Sequence, residues 1–170
     1  MNPEILFSET QRFKQWWLWL IMLGVDGLIF FGLFQQVTLG KPFGDHPATN
    51  TELIVIAVFM LLITGSFYML KLETEIRKDG IYVRFFPFHF SNRFYPLENI
   101  SKSFVRQYNP ILEYGGWGVR FGFAGKGKAF NVSGNQGLQL EFTDQKKLLI
   151  GTNKPEELEN LLMQIRHLNK

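Results

Sequence analysis

Between Leu53 and Leu70 the chain reads LIVIAVFMLLITGSFYML, with no charge and with Thr64, Ser66 and Tyr68 as polar groups gathered toward one end. As an α-helix this run is about 27 Å long, close to the hydrocarbon core of a bilayer. It passes without a linker into LETEIRKDGIYVRF, whose alternation reads as a β-hairpin. A folded domain joined in this way stands hard against a membrane, and it has little freedom to swing.

A second apolar run precedes it. Trp16–Phe34, WWLWLIMLGVDGLIFFGLF, is interrupted by one charge, Asp26. It is too long for a signal-peptide core, no small-residue cleavage site follows, and its apolar girdle is wider than the single stripe of a soluble surface helix. The expected organisation is a segment over residues 1–15, a first transmembrane helix over 16–38, a short external loop over 39–51 and a second transmembrane helix over 52–70. Gly40, Pro42, Gly44 and Pro47 suit the loop. That loop holds Lys41 alone, whereas Arg12 and Lys14 precede the first span and Lys71, Arg77 and Lys78 follow the second. Lys and Arg are retained on the cytoplasmic side, so a multi-pass protein of the inner membrane with both termini cytoplasmic is expected. Trp16, Trp17 and Tyr68 then fall at the inner interface, where amphipathic rings are enriched.

With 170 residues the chain has room for these spans and one domain of about a hundred residues, enough to bury a core. A net charge of +3, interspersed with acids, is not the clustered basic face of a nucleic-acid binder. The absence of cysteine excludes disulfides and thiolate chemistry.

From Leu72 onward the period is that of strands. Asp79-Gly80 between alternating runs is a strong hairpin signal, and Ile81–Phe86, Phe94–Leu97, Ile100–Tyr108, Gly116–Ala124, Ala129–Ser133, Leu138–Phe142 and Lys147–Ile150 supply further strands. A helix is expected over residues 154–168. Pro155, Glu156 and Glu157 suit its first turn, and Arg166, His167 and Lys170 its end. Leu158, Leu161, Leu162, Ile165 and Leu168 make one apolar stripe, which must cover the open end or face of the sheet.

The TEIRKDGIYVRF hairpin, the EYGGWGVRF strand, the NVSGNQGLQLEF pair and KKLLIGTNKPEELENLL at the end resemble the pleckstrin-homology (PH) superfold. Two spans feeding into it resemble the bacterial membrane proteins that carry PH-like domains. The resemblance implies a membrane α-helical hairpin plus an all-β PH-like domain over residues 71–170: about seven antiparallel strands in a bent sandwich or barrel, with one C-terminal helix. It does not carry over the phosphoinositide site. PH domains hold a basic cluster at the first hairpin loop, and here that loop is taken to be Asp79-Gly80, with Glu73 and Glu75 interrupting the nearby cations.

Asp26 is the sharpest single residue, because a carboxylate near mid-span costs on the order of 2.5–3.5 kcal/mol on insertion scales. Gly24 and Gly27 beside it would admit another backbone, and Thr64, then Ser66, are its expected neighbours on the second span. It serves either as packing glue or as a proton or ion relay. A relay needs an oligomer, since two helices enclose no pathway. Tyr114, Trp117 and Arg120 are the candidate interaction surface, being residue types enriched in binding hot spots.

Gly122–Ala129 comes near P-loop spacing, but Ala129 stands where Ser or Thr must hold Mg²⁺, and a strand follows instead of a helix, so nucleotide binding is excluded. Phe85-Phe86-Pro87-Phe88-His89-Phe90 crowds four rings into six positions. Ordinary core around a Pro-bent strand is the plainer reading, and insertion of the outward rings into the membrane interface is the other. His46, His89 and His167 have no metal-like spacing, and no nucleophile motif is present. The expected function is therefore a non-catalytic binding or scaffolding module at the inner membrane surface, with a protein partner or a second copy and no cofactor. The alternative is a subunit of a small oligomeric transporter or channel using Asp26.

Overall fold

Ahead of the first helix, the residues expected as a separate polar flank form a β-strand. In the computed structural model, which describes residues 4–168, β1 (Ile5–Arg12) pairs antiparallel with β2 (Lys71–Arg77), Arg12 opposite Lys71 and Thr10 opposite Glu73. Its inward side chains are Phe7, Glu9 and Gln11, all buried. The two polar ones are paired across the core: Gln11 Nε2 donates to the Gly151 carbonyl at 2.6 Å, and the Glu9 carboxylate accepts from Thr152 Oγ1 at 2.6 Å and from the Asn153 amide at 2.8 Å. Burial is tolerable for the Glu9 carboxylate because both of its oxygens are hydrogen-bonded, whereas Gln11 is half satisfied, its Oε1 having no partner among the described residues.

The chain forms two compact units, one of Lys14–Met69 and one of the residues on either side of it. In the first, α1 (Trp16–Thr38) and α2 (Asn50–Met69) are long and apolar enough to cross a membrane. They meet along Met22 and Asp26 on α1 and Leu53 and Ala57 on α2, the four-residue spacing of one helix face. A capping box starts α2 two residues earlier than expected: the Thr49 amide donates to Glu52 Oε2 at 2.8 Å and the Glu52 amide to Thr49 Oγ1 at 3.3 Å. Gln36 ties the connecting loop, donating to the Ala48 carbonyl at 2.7 Å and accepting from the Phe43 amide at 3.2 Å.

In the second unit, a two-residue turn at Lys78-Asp79, one residue earlier than the expected Asp79-Gly80 because Gly80 already pairs with Arg77, joins β2 to β3 (Gly80–Phe86), and β4 (Arg93–Pro96) completes a sheet of order β1-β2-β3-β4. A 3-10 turn leads to β5 (Ile100–Gln107), then α3 (Pro110–Tyr114), β6 (Gly118–Phe121), β7 (Lys128–Asn131), β8 (Gln136–Phe142) and β9 (Lys147–Gly151). These five strands make a sheet of order β5-β8-β9-β7-β6, and α4 (Pro155–Leu168) follows. The two sheets share one core. Leu72, Ile76, Ile81, Val83 and Phe85 from one meet Phe130, Leu138, Leu140 and Ile150 from the other, each no more than 1% exposed. Leu158 of α4 is buried in the same core, with Leu161, Leu162 and Ile165 packed against it. The expectations placed on Lys170 and on the side chains of Arg166, His167 and Leu168 lie outside the described residues.

Three features depart from the expected sandwich or barrel. The described residues hold nine strands, not about seven; β7 and β9 run parallel; and the sheets do not close into a barrel. The expected Gly116–Ala124 strand shrinks to β6, because Gly115 and Gly116 take φ of +70° and +122° and turn the chain first. At Gly127 (φ +81°) even a Cβ would collide with the Lys147 carbonyl, so close approach of two backbones demands glycine there.

Candidate functional site

Asp26 and Thr64, singled out as the intramembrane polar pair, are in contact. Thr64 Oγ1 donates to Asp26 Oδ2 at 2.8 Å, and the carboxylate is 6% exposed in the helical hairpin. Its second oxygen, Oδ1, is buried with no hydrogen-bond partner among the described residues. One donor for two oxygens leaves this group under-satisfied among the described residues. Ser66 takes no part, since its hydroxyl donates to Ile63 O of its own helix at 2.7 Å. Gly24 and Gly27 do not admit α2 either: nothing lies within 4 Å of the position a Cβ would take at either residue. The glycine that does lie against a neighbour is Gly32, under the ring of Phe43.

Of the expected surface of Tyr114, Trp117 and Arg120, Tyr114 is not on the surface at all. Tyr114 is 2% exposed, packed with Tyr108, Ala129 and Leu149 in a small second core on the outer side of the five-stranded sheet. The reason is a helix that the strand-like reading missed. Asn109 Oδ1 accepts from the Ile111 and Leu112 amides at 3.1 and 2.9 Å, Pro110 takes the first turn, and Gly115 closes α3 in the left-handed conformation. That turn aims Tyr114 inward. Trp117 is half-buried, with Nε1 donating to the Gly134 carbonyl at 3.2 Å. Arg120 is exposed, its Nε donating to Trp117 O at 2.9 Å.

Beneath them lies a charge cluster that sequence reading did not find. Arg106 Nη2 donates to Glu113 Oε2 at 2.9 Å and its Nη1 to Oε1 at 3.2 Å, and the Asn109 amide also donates to Oε1 at 2.9 Å. Arg106 Nη2 also donates to the Tyr114 hydroxyl at 3.2 Å. The Arg106 hydrogen bonds, then the Asn109 amide and the Arg106 charge, outweigh burial and hold the Glu113 carboxyl down to about 2. Burial pushes the neighbouring Tyr108 phenol up to about 12. Both groups therefore keep one protonation state through the neutral range. Glu113 is a fixed anion anchoring α3 to β5, unsuited to proton transfer. The spacing of seven residues between Arg106 and Glu113, across a strand and a capped turn, has no local signature.

The chain belongs to a family of unknown function, DUF6141, whose model matches residues 2–167. The match takes in β1, both apolar helices and the two sheets together. No curated protein and no solved structure is significantly similar to the chain.

Proposed function

We propose that this member of the DUF6141 family is an integral membrane protein that holds a non-catalytic binding or scaffolding module at the cytoplasmic face of the inner membrane. The observation that carries the reading is the register of β1 with β2, in which Arg12 stands opposite Lys71. The chain leaves and rejoins one sheet at adjacent strand ends, so any spans between them come in an even number, which suits α1 and α2 as a pair. The side is read from Arg12, Lys14 and Lys71 at the span ends, against Lys41 alone in the loop.

A PH-like reading of the module is supported by topology. The β1–β4 meander, the neighbouring antiparallel strands β5, β8 and β9, and α4 on the shared core make four strands, three strands and a helix. On this reading the helical hairpin is an insertion at the first β-connection, and α3 with the β6–β7 pair is an insertion at a later one. The resemblance puts a headgroup-binding loop at that first connection, and here the helices occupy it. Phosphoinositide binding is therefore not part of the proposal. A protein partner or a second copy is.

The second reading, an oligomeric transporter or channel, is favoured by one observation, the buried Oδ1 of Asp26, which has no hydrogen-bond partner among the described residues. Both are tested in gently solubilised membranes and in reconstituted vesicles. A stoichiometric protein partner retained by Asp26→Asn supports the scaffold, and ion flux lost in that variant overturns it.

A further inference from the structure

We propose that the turn after β3 is a lipid-interface anchor, with Phe88 and Phe90 seated among the headgroups and upper acyl chains. The proposal rests on the membrane reading above and adds to it a second point of lipid contact, made by the β unit itself.

The turn is inside out. His89 is buried, while Phe88 and Phe90 on either side are 65% and 82% exposed. A chain burying apolar area in a core would place the rings inside and the imidazole in water. The inversion is held by the backbone: the His89 amide donates to the Phe85 carbonyl at 2.8 Å, and His89 Nδ1 accepts from the Phe85 amide at 3.3 Å. The imidazole also meets the edge of Phe130 at 5.1 Å between centroids. With His89 pinned, its neighbours have to point outward. Phe90 stacks edge-on against Phe86 at 6.2 Å, and Phe88 lies 5.9 Å from Phe85, so each exposed ring rests against one neighbouring ring.

Strand register fixes the end of the sheet at which these rings lie. Phe86 pairs with Lys71, and Lys71 pairs with Arg12, so the turn leaves the four-stranded sheet at the end where the chain departs to α1 and returns from α2. Lys71 Nζ lies 6.0 Å from the Phe86 ring. Leu70 and Phe13 are the last residues of this unit on either side of the helices. If α1 and α2 span a bilayer, its surface begins within a residue or two of Lys71, and two exposed rings at the same sheet end meet it. Aromatic rings flanked by cations such as the exposed Arg93 are what an interface accepts. The opposite end of the β2–β3 hairpin, at Lys78, is about 20 Å away along the strands, and there the described residues expose Ile5 and Phe94, less fully than Phe88 and Phe90.

The cysteine-free chain allows a clean test. Single variants Phe90→Cys, Leu62→Cys on the exposed face of α2 and Lys78→Cys are labelled with an environment-sensitive fluorophore in phosphatidylcholine–phosphatidylglycerol nanodiscs. Quenching is read with doxyl-labelled lipid and with aqueous iodide. The expected result is loss of most fluorescence to doxyl lipid at positions 62 and 90, and to iodide at 78. A label at 90 that follows the one at 78, or that is shielded from both quenchers as a protein contact would shield it, overturns the anchor while position 62 still reports lipid. Iodide quenching at position 62 overturns the membrane reading itself. Phe88→Cys repeats the measurement at an independently exposed site.

Discussion

Among the side chains that couple the β unit to acid, Glu113 and His89 are shifted in opposite senses relative to their charge, and both signs follow from where their protons go. Glu113 is held near 2 in the folded chain against an ordinary 4.5, so its contribution is whole above pH 4.5 and drains away as the pH falls toward 2. His89 is shifted the other way relative to its charge. Burial, then repulsion from Arg93 and Lys128, lowers its pKa below 6.5, so folding favours the neutral ring and stability declines as the pH drops below 6.5. Thermal midpoints recorded across this range should fall in two stages. Glu113→Gln should flatten the lower stage and His89→Gln the upper, and a curve left unchanged by either substitution would refute its assignment. At neutral pH, Glu113→Gln should cost about 1–3 kcal/mol, because it strips Arg106 of its partner. In the helical unit, a double-mutant cycle over Asp26→Leu and Thr64→Val should return a coupling of about 0.6 kcal/mol, the usual size for a polar contact between membrane helices. A coupling several times larger would mean that the pair does more than pack.

At the scale of elements, β1 shows why local reading stops where it does. Strands are recognised by alternation of apolar and polar residues, yet two of the three inward positions here are Glu9 and Gln11. Their partners lie 140 or more residues away, at Gly151, Thr152 and Asn153, so nothing nearby in the chain marks them as interior. Phe7 is the one apolar contribution of that face, 2% exposed in the main core. Phe7→Ala should therefore destabilise the β unit by about 3–5 kcal/mol, as measured by urea midpoint and by protease sensitivity of the β1–β2 pair. An effect under about 1 kcal/mol would show that β1 is only loosely attached. The α2 cap, by contrast, is fully local. Thr49→Ala should cost about 1 kcal/mol, seen as faster amide exchange in the first turn of that helix.

For the whole molecule, the pairing of β1 with β2 predicts sidedness. With Glu4→Cys, Asp45→Cys and Asp144→Cys probed one at a time by an impermeant reagent on intact cells, position 45 should react from outside. Positions 4 and 144 should react only after permeabilisation, and reaction at 4 and 144 from opposite sides would break the proposed architecture. The two apolar helices, the Asp79-Gly80 hairpin and the C-terminal helix were legible because each follows from composition or periodicity within a window of about twenty residues. Even the Asp26–Thr64 contact could be anticipated, since a hairpin of two apolar helices leaves few partners for a polar group. Tertiary packing alone decided that the N-terminal segment completes the sheet, that Tyr114 is core and not surface, and that His89 is inside with Phe88 and Phe90 outside. In each case the burial of a side chain is set by what distant chain segments lay over it. A preference for water or for core is only a bias, which one buried hydrogen bond or one capped turn can reverse.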